Sequence, residues 1–298
     1  MATLYTQIDK NVHKTWAMMG LFFVFIILIG WVFAHAYGNP SILYIAVVFS
    51  SLMNFASYWY SDKLVLTTTG AKPIEKKDAL ELYRAVENLT ITAGLPMPKL
   101  YILNEVAINA FATGRNKEHA VVAVTRGALE RLDKNELEGV LAHELSHIGN
   151  RDILVSTVAV VLVGFIVLLS DFFLRFTFMF RHRDSERGGG NIFALVGIVL
   201  AILAPIIASL MRLAISRRRE LLADTSGVLL TRYPEGLMSA LKKIDADKTQ
   251  LSTANHATAH LYISNPFKSR DGVGFMTRLF MTHPPIKERI EALERVKF

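Results

Sequence analysis

The amino-acid sequence predicts a mainly α-helical integral membrane protein that carries an α+β unit with a small β-sheet. Two observations lead there. The chain of 298 residues is 52% apolar and its mean hydropathy is +0.33, rich for a protein surrounded by water. The excess is also not spread evenly, because four long runs carry it and the segments between them hold the charges and the turn formers. Trp16 to Ala34 and Ile42 to Tyr58 are apolar, with seven largely uncharged residues between them. They read as a transmembrane hairpin. Ile153 to Ser170 offers an uncharged run of about 27 Å of helix, and Ile192 to Met211 a similar one. The expected organisation is a first hairpin over 1–60, part of the α+β unit over 61–152, a second hairpin over 153–215 and the rest of the unit over 216–298. Asp171 and Arg175 would each cost about 2.5–3.5 kcal/mol at a bilayer centre, so the third span is expected to end near Ser170.

Charge orients these hairpins. Lys10 and Lys14 precede the first span, no Lys or Arg links the first two, and Lys63, Lys72, Lys76 and Lys77 follow the second. The bias puts both ends of that hairpin on the cytoplasmic side, and Arg217, Arg218 and Arg219 after the fourth span agree. Arg175, Arg181, Arg183 and Arg187 in the loop over 171–191 run against it. Although the formal charge is +7, the basic residues are scattered and form no nucleic-acid module; a bilayer surface explains them better. The absence of cysteine excludes disulfides and Cys-rich metal sites. Ala34-His35-Ala36 looks like a signal-peptide cleavage site, but the apolar run before it is longer than the usual 7–15 residues and a second span follows, so an uncleaved anchor is expected.

Ser61 to Lys77 is polar, and Thr67-Thr68-Thr69-Gly70 reads as a linker. From Asp78, Leu82, Tyr83, Val86 and Leu89 keep helical spacing until Gly94, Pro96 and Pro98 stop it. Lys99 to Leu103, Ala110 to Thr113 and His119 to Thr125 are short β-branched or aromatic runs, which predicts about three strands. Asn109-Ala110-Phe111-Ala112-Thr113-Gly114 suits an edge strand, being short and bounded by turn formers; a plain core strand is the alternative. Asp133 followed by Glu136 makes a capping-box start for a helix whose apolar positions are Leu137, Val140, Leu141 and Leu145.

That helix contains His143-Glu144-Leu145-Ser146-His147. Positions four apart share a helix face, so His143 and His147 can offer two imidazole nitrogens to one metal ion, with the Glu144 carboxylate beside it. Two neutral ligands and a nearby base are what a hydrolytic zinc site requires. The plain alternative is a surface helix with two solvated histidines. Only Ile148, Gly149, Asn150, Arg151 and Asp152 separate His147 from the third span, which predicts a metal near the bilayer surface. After an even number of crossings the chain returns to the same side, where Glu220 and Asp224, four apart on a helix, become candidates to complete the site. One carboxylate would bind metal while the other accepts a ring N–H of a ligand histidine. His256 and His260 are also four apart but have no neighbouring glutamate, and a polar loop or cleft lining suits them better. His13, His35, His119 and His182 lie at span ends or in loops, and Gly188-Gly189-Gly190 reads as a flexible turn.

His143-Glu144-Leu145-Ser146-His147, Ser216-Arg217-Arg218-Arg219-Glu220-Leu221-Leu222-Ala223-Asp224, and Thr282-His283-Pro284-Pro285 with Arg289 together resemble the HtpX-type membrane zinc metalloproteases. The order of two spans, half-domain, two spans and half-domain is similar over nearly the whole chain. The resemblance implies a zincin-like catalytic domain holding one Zn2+ per chain through His143, His147 and Glu220, with Glu144 as general base. It places Asp224 and Arg289 behind the ligands, gives His283 a part in stabilising the transition state, and makes the strand from Asn109 to Gly114 the edge that aligns substrate. It further implies a multi-pass protein of a bacterial or archaeal cell membrane, catalytic domain facing the cytoplasm, that cleaves misfolded or damaged membrane proteins and unfolded polypeptides under stress. Two other functions suit the chain less well. The CAAX prenyl proteases have similar zinc motifs, but four spans argue against their larger enclosed chamber. Metal transport calls for ionisable residues within the spans, which these essentially lack.

Overall fold

The computed structural model describes residues 4–180, 217–254, 258–264, 266 and 284–296. The expected fourth span, the Gly188–Gly190 turn, His182, His256 and His283 lie outside the described residues.

Helix α1 (Leu4–Tyr37) and helix α2 (Ser41–Trp59) form the first hairpin, turned by Gly38 with φ of 63° and by Pro40. Both are long and apolar enough to cross a bilayer, over Asp9–His35 and Ser41–Trp59. They leave Trp16, Tyr44, Ile45, Val48, Leu52 and Phe55 exposed, an outer face suited to lipid. The inner face of α1 is buried: Met18, Phe22 and Phe25 pack with Leu154, Val155, Val158 and Leu162 of a later helix.

Two expectations about the next segment need correction. Ser61–Thr69, read in part as linker, is helix α3, and a short strand β1 (Lys72–Pro73) follows it. The threonines turn their hydroxyls back on the helix, Thr67 to Lys63 O, Thr68 to Leu64 O and Thr69 to Val65 O, while burial of Val65 and Leu66 holds the turn in place. Gly70, at φ of 68°, closes it.

Helix α4 (Leu80–Ala93) leads into β2 (Lys99–Leu103), β3 (Ala110–Thr113) and β4 (Val121–Thr125). The sheet has four strands rather than three, in the order β1-β2-β4-β3, with β2 and β4 parallel and the outer pairs antiparallel. Its alternation faces two cores. Leu100, Ala110, Ala112, Val122 and Val124 point toward α4 and the motif helix, whereas Leu103, Phe111 and Ala123 join Val65, Val160 and Tyr262 on the other face.

After a short helix α5 (Arg126–Arg131), helix α6 (Lys134–Gly149) begins at the expected capping box. Asp133 N donates to Glu136 Oε2 at 2.8 Å, and Glu136 N to Asp133 Oδ1 at 3.0 Å. Helix α7 (Asp152–Phe180) leaves α6 at 84°, across Arg151 at φ of 56°. Taken together, the bent pair is a third candidate span by length and composition. Helix α7 runs on beyond Ser170, because no glycine or proline stands between Phe165 and Phe180 to stop it. Helices α8 (Arg217–Thr231), α9 (Pro234–Ala246) and α10 (Ile286–Leu293) complete the described chain. With α4 and the sheet on its other sides, α6 becomes the buried axle of the α+β unit; Val140, Leu141, His143, Glu144 and Leu145 are all at most 1% exposed.

Candidate metal centre

Helical spacing sets His143 and His147 on one face of α6, and packing brings α8 across that face. Gly227 makes the approach close, since a Cβ there would lie 2.9 Å from the backbone nitrogen of His143. Glu220, Asp224 and Gly227 follow one another at helical spacing, so the stripe of α8 that touches α6 is also the one that carries the carboxylates. The result is convergence: His143 Nε2 and His147 Nε2 are 3.2 Å apart, Glu220 Oε2 is 3.9 Å from the first and Glu220 Oε1 3.7 Å from the second. Bonds of about 2.0–2.1 Å would put neighbouring ligands of a tetrahedral zinc ion about 3.3 Å apart, so this donor set fits such an ion. Among the described residues it is the one group of three His, Cys, Asp or Glu that converges this way.

Each imidazole is held from behind. His143 Nδ1 lies 2.8 Å from Asp224 Oδ1, which fixes the N–H there and turns the Nε2 lone pair toward the cluster. Asp224 is itself gripped by Arg289, whose Nε and Nη2 donate to its two oxygens at 2.8 and 2.6 Å while Nη1 donates to Ile263 O at 2.9 Å. On the other ring, His147 Nδ1 lies 3.2 Å from Asp152 Oδ2. Of the two carboxylates left open by sequence, Asp224 takes the back of the ring and Glu220 the front.

Electrostatics follow from burial and crowding. Burial pushes His143 down to about 4, against the pull of Asp224, so it is neutral. Burial also opposes charge on His147, yet the carboxylates of Glu220 and Asp152 push it up to about 9. Burial raises Asp224 too, but the Arg289 guanidinium outweighs it and holds the carboxyl well below its usual range. A pocket that raises the proton affinity of a buried histidine is one that calls for positive charge, and a divalent cation answers the same demand.

Glu144 follows His143 on α6 and is 1% exposed. Burial pushes its carboxyl up to about 7, partly offset by His147 and by the nearby backbone of Ala112. Ala112 belongs to β3, one of the two outer strands of the sheet, so the segment from Asn109 to Gly114 lies at an edge. Asn109 O accepts from Thr125 N on β4, so Ala110, Ala112 and Gly114 present their backbone groups outward. The edge is already engaged at points: Ala110 O accepts from Ile263 N at 3.0 Å, and Gly114 N donates to Thr157 Oγ1 at 3.3 Å.

Sequence reasoning missed Asp152 and Gly227. A residue five positions after His147 shares no helix face with it, and only the sharp bend before α7 returns Asp152 to the ring. Gly227 carried a signal in its spacing from Asp224, although nothing local says that a helix must come close there. His260, half of the rival pair, has its Nε2 3.1 Å from Ser156 O, a packing contact with α7.

Comparison with known proteins agrees with this geometry. The sequence model of peptidase family M48 matches residues 76–297. A protease HtpX homolog of Caldanaerobacter subterraneus subsp. tengcongensis is 43% identical over 298 residues, covering 98% of this chain and 97% of the relative. One from Pyrococcus furiosus is 46% identical over 285 residues, covering 94% and 96%. The crystal structure of S. mikatae Ste24p is similar in fold, with a TM-score of 0.50 and 18% identity over 99% of this chain and 67% of that one. Family match, near full-length relatives and a His/Glu cluster beside apolar helices lead to one conclusion: this chain belongs to peptidase family M48, as a membrane metalloprotease of the HtpX type.

Proposed function

We propose that this chain is a zinc-dependent endopeptidase of the cell membrane, spanning it four times with a zincin-like catalytic domain on the cytoplasmic side, and that it removes misfolded or damaged membrane proteins. The observation that carries this reading is the convergence of His143, His147 and Glu220 from two helices separated by the whole second hairpin. Zinc held by these three residues supplies the positive charge that acidifies a water and polarises a peptide carbonyl.

The chain's own groups do the rest. Asp224 and Asp152 keep both imidazoles oriented, their Nε2 atoms toward the cluster. Glu144, whose proton affinity is tuned to neutral pH by burial, takes the water's proton and returns it to the leaving amine. Helix α6, which carries that carboxylate, packs against β3, the edge strand on which an extended substrate would add main-chain hydrogen bonds irrespective of its sequence. His283 donates to the developing oxyanion. Backbone-led recognition suits substrates defined by being unfolded rather than by a motif.

Replacing Glu144 by Gln tests the mechanism. The purified variant should keep one zinc per chain while cleavage of casein falls by about 10²–10⁴-fold. Parent activity should stop with a chelator and return with added zinc. Casein cleavage by Glu144→Gln at the parent rate rejects the base, and parent cleavage that ignores the chelator rejects the metal.

A further inference from the structure

The first turns of α1 reach the metal centre from behind His147. Asn11 is 2% exposed, and both polar atoms of its amide are hydrogen-bonded. Nδ2 donates to Asp152 Oδ1 at 2.6 Å and to Asn150 O at 3.1 Å, and Oδ1 accepts from Arg219 Nη1 at 3.3 Å. Arg219 Nε also lies 3.8 Å from Asp152 Oδ1. Asp152 therefore divides its oxygens, Oδ2 to His147 Nδ1 and Oδ1 to Asn11. A carboxylate anchored at one oxygen can rotate about its last torsion, whereas one anchored at both holds its plane and the ring it faces. Arg219 immediately precedes Glu220, so the same amide is bonded to the group that orients one ligand and to the neighbour of another.

Packing alone does not ask for this amide. Farther along α1 the inner face is apolar, with Met18, Phe22 and Phe25 set against α7. A polar side chain at position 11 is buried only because the α6–α7 bend offers it partners.

We infer that Asn11 is a positioning residue of the metal centre, acting through Asp152 to hold His147 in coordinating geometry. The first membrane helix is thus a structural part of the site as well as an anchor. The inference rests on His143, His147 and Glu220 being the zinc ligands.

Zinc affinity of the full-length chain in detergent, measured by competition with a chromogenic chelator, separates the possibilities. Asn11→Ala should weaken zinc binding about tenfold and Asp152→Ala about 10–100-fold, the range for groups that orient metal ligands. The double variant should be no weaker than Asp152→Ala, because both act through one carboxylate. Asn11→Leu, which keeps the packed volume, should match Asn11→Ala and serves if the smaller side chain unsettles the helix. Met18→Ala, one of the fully buried positions on α1, should bind zinc like the parent. Asn11 variants within twofold of the parent, losses that multiply in the double variant, or an equal loss in Met18→Ala would each overturn the inference. A parent chain that takes up no zinc would instead remove the ligand assignment on which it stands.

Discussion

Arg289 shows how much one buried side chain can decide. It is fully buried, forks onto both oxygens of Asp224, and through that carboxylate steadies His143. Removing one partner of such a pair leaves the other charged and dry, at a cost of about 3–5 kcal/mol. Arg289→Met should therefore lower the melting temperature by about 6–20 °C and weaken zinc binding as well. Arg289→Lys should recover little of either, since a single ammonium cannot make the fork. Thermal unfolding in detergent with and without zinc checks both. At this scale the sequence was legible where chemistry is local: His143, Glu144 and His147 lie within one and a half turns of helix, so spacing alone assembles them. Glu220 and Asp224 were visible as a pair, but which faced the front of the rings depended on how α8 rotates against α6.

Between helices, small residues set distances that larger ones then use. A methyl on Gly227 would press into the backbone of His143, which cannot move aside, so Gly227→Ala must shift α8 together with Glu220 and Asp224. Such overpacking costs about 1–3 kcal/mol and should weaken zinc binding measurably. Gly20→Ala on α1, with nothing within 4 Å of the added Cβ, is the control that should leave both unchanged. The start of α6 gives a pH signature. Burial alone would raise Glu136, but Lys243 Nζ and Ser239 Oγ, each donating at 2.6 Å, hold it below the ordinary carboxyl value. A group depressed in the folded state contributes its full stability above the ordinary carboxyl value and loses it as pH falls through the lowered one. Thermal stability should accordingly fall as pH drops below the ordinary carboxyl range, and less steeply in Glu136→Gln. The threonine run at 67–69 was misread for a related reason: its propensity favours a linker, and only burial of Val65 and Leu66 makes it helix α3.

For the whole molecule, the arrangement joins membrane and chemistry within one bend, since α6 ends at Gly149 and α7 begins at Asp152. A cysteine-free chain is a clean background for mapping the sides of the bilayer. A single cysteine at Asn39, in the link between α1 and α2, should react with an impermeant thiol reagent added to intact cells, and one at Lys76 only after permeabilisation; the reverse pattern would invert the proposed orientation. By itself the sequence determined the apolar helices, the capped motif helix with its two imidazoles and base, and the presence of strands, because each depends on neighbours within a few residues. Only the tertiary structure decided the order of the sheet, the edge position of β3 beside Glu144, the front and back of each imidazole, and the recruitment of Asp152, Asn11 and Gly227. Those depend on how rigid elements pack and bend against one another, and no local periodicity encodes a contact made across a bend or between separate elements.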